Sequence, residues 1–233
     1  MRGIAKGKIK DYIGAIEDAN KALEIDSNYV NALNSRGIAK KELNDYAGAI
    51  KDYTKAIEID PKYAIAYFNR GNAKRDFKDY IGAIEDYTKE IEIDPKYAMA
   101  YNNRGNAKRE SKDYTGAIED YTKAIEVDPK YAKAYNNRGI AKRVSKDYTG
   151  AIEDYTKVIE IDPKNAIAYG NRGIAKEDLT DYIGAIEDYT KAIEIDPIYA
   201  KAYNNRGIAK QKIGDKDGAS SDFVIYEKLI NQK

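Results

Sequence analysis

The six letters AYNNRG occupy residues 100–105 and return at 134–139 and 202–207. Variants AYFNRG, AYGNRG and ALNSRG stand at 66–71, 168–173 and 32–37. The glycine after each arginine falls at 3, 37, 71, 105, 139, 173 and 207, always 34 residues apart. A fixed period of this length constrains the fold more than any local propensity does. Each unit is too small to bury its own apolar face and must stack on its neighbours. With that glycine as position 8, the units are 1–29, 30–63, 64–97, 98–131, 132–165, 166–199 and 200–233, and the first lacks positions 1–5. They use up the chain without a linker, so 1–233 reads as one repeat domain.

Each unit reads as a pair of helices. The only prolines, Pro61, Pro95, Pro129, Pro163 and Pro197, stand at position 32, where the missing N–H and the ring stop a helix. The segments between are rich in helix-favouring Ala, Ile, Glu and Lys. An aspartate at position 16 of every unit, Asp11 through Asp215, is placed to cap a second helix. The pattern predicts seven helix pairs and no strand. Fourteen of the 17 glycines lie at positions 8 and 19. Each costs about 1 kcal/mol inside a helix, a penalty explained if another backbone comes close. Alanines at positions 10, 20 and 27 (Ala107, Ala117 and Ala124) let helices nest, and aromatics at 4, 17 and 24 (Tyr101, Tyr114 and Tyr121) fill the gaps.

These residues resemble the tetratricopeptide repeat (TPR) family along the whole chain: Tyr67, Gly71, Ala83, Tyr87 and Pro95 match its pattern in the third unit. The resemblance implies an all-α, right-handed α-solenoid superhelix of antiparallel helix pairs, whose first helices line a concave groove. Positions 7 and 11 depart from it, being arginine and lysine in all seven units.

The arginine shares its helix face with the tyrosine of position 4, and a charge at a packed face needs a partner. Position 23 is aspartate in every unit, at the edge of the second helix's core face. The pattern predicts structural salt bridges Arg70–Asp86, Arg104–Asp120, Arg138–Asp154 and Arg172–Asp188, whose gain is the angle between helices more than net stability.

Asparagine is a mediocre helix former, so a row of them asks for a reason. Position 6 carries Asn69, Asn103, Asn137, Asn171 and Asn205; position 5 adds Asn102, Asn136 and Asn204. A solvent-facing amide per repeat, able to donate and accept, can pair with a peptide backbone whatever its sequence. Units 98–131 and 132–165 differ drastically only at Met99/Lys133, Asn106/Ile140 and Glu110/Val144. These are positions 2, 9 and 13, one stripe beside position 6. Phe68, Asn72 and Lys201 extend that stripe, and Arg109 and Arg143 flank it. The amide row resembles that of the O-linked N-acetylglucosamine transferases, where such asparagines grip a peptide backbone. Against the carboxylate-clamp TPRs, Asn72, Asn103 and Lys133 match three of five clamp positions, while Phe68 and Asn137 replace the remaining lysine and arginine.

The expectation is a non-catalytic scaffold that binds a protein or peptide in the groove. The ligand would carry spaced apolar and some acidic side chains. A structural spacer or an array packing end to end is the alternative reading, and an RNA-binding helical repeat a lesser one. Lys+Arg 40 against Asp+Glu 39 gives a net charge of +1, which speaks against nucleic acid. There is no histidine or cysteine to serve acid–base, thiolate or Cys-metal chemistry, and no EF-hand spacing. No catalytic residue, metal or cofactor is therefore expected. No apolar run is long enough for membrane insertion and no signal segment leads the chain, so a cytoplasmic location is expected. The truncated first unit, and apolar residues in DFVIYEKLI (222–230) without a polar cap, read as a fragment or a self-associating end.

Overall fold

The computed structural model describes residues 2–231, with side chains from residue 11 onward, and every regular element among them is a helix. The chain forms two compact units, 1–113 and 114–233. The first holds α1 (Arg2–Ile25), α2 (Val30–Glu42), α3 (Tyr46–Ile59), α4 (Ala64–Asp76), α5 (Tyr80–Ile93) and α6 (Ala98–Glu110). The second holds α7 (Tyr114–Val127), α8 (Ala132–Val144), α9 (Tyr148–Ile161), α10 (Ala166–Asp178), α11 (Tyr182–Ile195), α12 (Ala200–Lys212) and α13 (Lys216–Ile230). In each unit, helices of one repeat pack as a hairpin and the second helix packs on the first helix of the next repeat. This is the stacking of an α-solenoid.

The turn inside each hairpin is built the same way each time. Position 15 is left-handed at Asn44, Lys78, Lys112, Lys146 and Thr180, with φ between 63° and 69°, and at Gly214 with φ 89°. The next N–H bonds back to the carbonyl five residues earlier, as from Asp79 to Lys74 at 2.8 Å, which satisfies an orphan carbonyl of the first helix. That same Asp79 then caps the second helix, accepting from the Gly82 N–H at 3.0 Å. Asp45, Asp147, Asp181 and Asp215 do likewise.

The first repeat breaks this rule. The nine residues KDYIGAIED at 10–18 are identical to 78–86, yet α1 runs through them unbroken, so the seventh expected pair is a single helix and Asp11 is no cap. A left-handed lysine costs on the order of 1 kcal/mol or more. At Lys78 the packed hairpin holds it. In α1 the same nine residues continue as helix, so the turn is not fixed by them alone.

The core repeats one cassette, a tyrosine at position 24 set between two alanines. Examples are Tyr87 with Ala83 and Ala107, and Tyr189 with Ala185 and Ala209, all fully buried. This tyrosine, not a second backbone, explains the glycine at position 8. A Cβ on Gly37 would lie 2.6 Å from Tyr53 Cε1, and one on Gly139 would lie 2.8 Å from Tyr155 Cε1. Glycine at position 19 has a different cause. At Gly48, Gly82, Gly150, Gly184 and Gly218 it is in the first turn of the second helix, where a Cβ would collide with the capping aspartate.

Candidate functional site

The arginine of position 7 lies between repeats. Arg36, Arg70, Arg138, Arg172 and Arg206 place Nη2 within 2.6–2.7 Å of Asp52, Asp86, Asp154, Asp188 and Asp222 respectively. Each aspartate side chain is only 3–4% exposed. The other guanidinium arm reaches back to position 25 of the preceding repeat. Arg70 Nη1 donates to Thr54 Oγ1 at 3.0 Å, and Arg104 to Thr88 at 3.1 Å. The guanidinium also lies over its own repeat's position-4 ring, with Arg70 5.6 Å from the centre of Tyr67 and Arg104 5.8 Å from that of Tyr101. One cation thus ties three helices.

Sequence reasoning missed the second cation. Lys40, Lys74, Lys142, Lys176 and Lys210, at position 11, meet the same aspartates at 2.8–3.1 Å. Four of them also donate to the position-19 carbonyl, as Lys142 does to Gly150 at 3.2 Å. Burial alone would raise the carboxyl of Asp222, but the bonds from Arg206 and Lys210 outweigh it and hold the group below its usual value. The clue was in the constancy of Lys at position 11 and of Thr at position 25, Thr54 through Thr190.

The asparagines do not face solvent freely. Asn69 Nδ2 donates to Asn34 Oδ1 at 2.9 Å and Asn171 Nδ2 to Asn136 Oδ1 at 3.0 Å, so position 6 of one repeat bonds position 5 of the repeat before. Asn102 is buried, and its Nδ2 lies 3.5 Å from Asn103 Oδ1. Asn103, Asn106, Asn137, Asn204 and Asn205 are half-buried. The amides are shielded because first helices of consecutive repeats touch directly, α2 with α4, α8 with α10 and α10 with α12. Asn72 accepts from the buried Tyr87 hydroxyl at 2.9 Å, while Asn205 bonds the Tyr189 hydroxyl, which also donates to Glu177.

The flanking stripe is more open. Met99, Lys133, Val144 and Lys201 are exposed, while Ile140 and Arg109 are half-buried. Phe68 packs against Ala83, Tyr87 and Ala107, and Arg143 Nη1 pairs with Asp178 at 2.8 Å in the next repeat. Among the described residues no group of three or more His, Cys, Asp or Glu could hold a metal ion, and no helix is long and apolar enough to cross a membrane.

A family profile described as TPR repeat matches residues 39–76, 105–142 and 180–214, and two described as Tetratricopeptide repeat match 64–97 and 132–165. No curated protein sequence matches the chain. Among solved structures, MamA is 28% identical with a TM-score of 0.66, over 70% of this chain and 95% of that one. A tetratricopeptide repeat protein from Parabacteroides merdae shares the fold at 22% identity and TM-score 0.71, over 97% of this chain and 88% of that one. YrrB, described as a TPR protein with an unusual peptide-binding site, does so at 22% identity and TM-score 0.65, over 80% and 96%. Stacked repeats of this kind are protein-interaction scaffolds. The matched segments, the 34-residue period and the helix-hairpin stacking together place the chain in the tetratricopeptide repeat family.

Proposed function

We propose that the protein is a non-catalytic scaffold that binds an extended peptide along the face of its first helices, through the amides of positions 5 and 6. The observation that carries this is the pairing of those amides across repeats. In Asn69–Asn34 and Asn171–Asn136 the bond uses one donor and one acceptor. A primary amide has two donors and two acceptor sites. Each pair therefore has a donor and an acceptor to spare, held at fixed spacing by its partner. A peptide backbone needs the same alternation. The exposed, differing side chains Met99, Lys133 and Val144 beside the row would select among sequences.

The test begins with a partner captured from native lysate and titrated against variants of the full chain. Each neutral hydrogen bond contributes about 0.5–1.5 kcal/mol. One Asn→Ala change should weaken binding several-fold, and Asn103→Ala, Asn137→Ala and Asn171→Ala together should nearly abolish it. Circular dichroism must show the triple variant folded, since Asn171 also holds Asn136. Unchanged affinity in a folded triple variant would refute the reading. A second reading, self-association through the last helix, is favoured by Val224, Ile225 and Ile230, which are 69%, 38% and 40% exposed. Sedimentation velocity showing only monomer at high concentration would rule it out.

A further inference from the structure

Position 27 is alanine or valine in most repeats (Ala22, Ala56, Ala124, Val158 and Ala192), but in the third repeat it is Glu90. Glu90 is 2% exposed, and its Oε2 has no hydrogen-bond partner. It borders a cavity of about 220 Å³ whose other walls are Ala64, Ile65, Phe68, Asp94 and Tyr97. Asp94 Oδ1 is occupied by the Lys96 N–H at 3.0 Å, which leaves its other oxygen. The Tyr97 hydroxyl points to Met99 Sδ at 3.3 Å, so the residue offers the cavity its ring. A carboxyl placed alone in an alanine site is costly, and filling the space does not require one.

We propose that this cavity is a specificity pocket for the basic side chain, lysine or arginine, of a bound protein partner. The alkyl stem would pass Ile65, which is 53% exposed, and lie between Phe68 and the Tyr97 ring, with its cation between Glu90 Oε2 and Asp94. An anion would meet two carboxyls, and a wholly apolar side chain would leave Glu90 unpaired. A basic side chain answers both the shape and the orphan oxygen. The inference rests on the groove reading for the approach of the peptide, but it uses none of the asparagines, so the two can fail separately.

The pocket also sets a pH dependence. Glu90 is faced by Asp94 from the end of its own helix and by Tyr97 from the turn, while the α4 wall (Ala64, Ile65 and Phe68) has no titratable group. Burial, and then the Asp94 charge, push Glu90 up to about 8. The empty pocket is therefore mostly protonated at neutral pH, and a cation enters as the proton leaves. Ionisation rises from roughly a tenth at pH 7 to nine-tenths at pH 9, while lysine stays charged. Affinity for a basic side chain should gain about tenfold over that interval.

The probes are acetyl-Ala-Ala-Lys-Ala-Ala-amide and the same peptide with norleucine in place of lysine, added to the full chain. The Glu90 carboxyl is followed by carbon-13 NMR. The lysine peptide should lower the Glu90 titration midpoint and bind about tenfold tighter at pH 9 than at pH 7, and the norleucine peptide should do neither. Glu90→Ala restores the residue of the sister repeats, as in Ala56, and should fold but lose the lysine preference; Glu90→Gln should keep the pocket's shape and lose it too. Equal binding of the two peptides, undiminished lysine binding by Glu90→Ala, or no binding of the lysine peptide at millimolar concentration would each overturn the proposal. The Asn103, Asn137 and Asn171 triple variant should still show the lysine-dependent shift. If it does while holding its partner at unchanged affinity, the asparagine reading falls and this one stands.

Discussion

Replacing Asp154 by Ala isolates the contribution of burial to the repeated charge cluster. The carboxylate accepts from Arg138 Nε at 2.9 Å and Nη2 at 2.7 Å and lies 3.1 Å from Lys142 Nζ. Its own side chain is 3% exposed, and those of Arg138 and Lys142 are 16% and 17% exposed. Removing one partner of a buried pair costs about 3–5 kcal/mol, because the charge left behind stays desolvated. Here two cations are left, four residues apart on one helix. Arg138 keeps Thr122 at 2.9 Å and Lys142 keeps the Gly150 carbonyl at 3.2 Å. The expected loss is therefore near the lower end, about 3 kcal/mol. The control is Glu160→Ala. Its pair with Lys157 has the same 2.7 Å separation but is 54% and 55% exposed, so about 0–1 kcal/mol is expected. Urea unfolding followed by circular dichroism ranks the two variants. Hydrogen exchange in α8 and α9 gives the local value, since repeats unfold in nearest-neighbour fashion. Equal losses for Asp154→Ala and Glu160→Ala would show that the cluster is a surface feature and refute the argument from burial.

Gly139→Ala should destabilise by about 1–3 kcal/mol through overpacking against Tyr155, although alanine is the better helix former; a gain in urea midpoint would show that the ring can move aside. Glu90 holds its proton more tightly folded, up to about 8, than at its ordinary 4.5, so the contribution of this one group to stability should be greatest below 4.5 and fall as pH rises to 8. The melting temperature of Glu90→Ala minus wild type should grow across that window, and a pH-independent difference would contradict the buried, unpartnered carboxyl. Residues 11–25 of α1 should exchange amide protons before α8 and α9 do, since only Ala19 among their side chains is buried. Protection equal to that of α9 would refute this.

What was legible in the sequence followed from periodicity, and what was not depended on context that periodicity hides. Proline at 32, aspartate at 16 and the alanine–tyrosine spacing announce hairpins, because capping and nesting are local and recur with the repeat. KDYIGAIED shows the limit. The same nine residues turn at 78–86 and stay helical at 10–18, so the left-handed lysine is imposed by packing and is not encoded locally. The glycines were read as room for a backbone because a sequence does not show which atom arrives; at position 8 it is a tyrosine ring, and at position 19 a capping carboxylate. The arginine–aspartate spacing of 16 was visible, but the lysine of position 11 was assigned no partner and the threonine of position 25 drew no reading. They complete one polar seam between consecutive repeats, two cations on each buried aspartate.

That seam also shows why Glu90 stands apart. At position 23 the buried carboxylates of Asp52, Asp86, Asp154, Asp188 and Asp222 each have two cations within reach, an arginine and a lysine of the same repeat. At position 27 the third repeat gains a buried carboxylate with no matching cation among the described residues. A chain that supplies two cations to the buried carboxylates at one position and none to that at another treats the two kinds of carboxyl differently. The first belongs to the fold, while the second is satisfied only from outside the chain or by staying protonated. Choosing between those two is what the lysine and norleucine peptides do, because only a charge delivered into the pocket can draw the proton off Glu90 below its own titration.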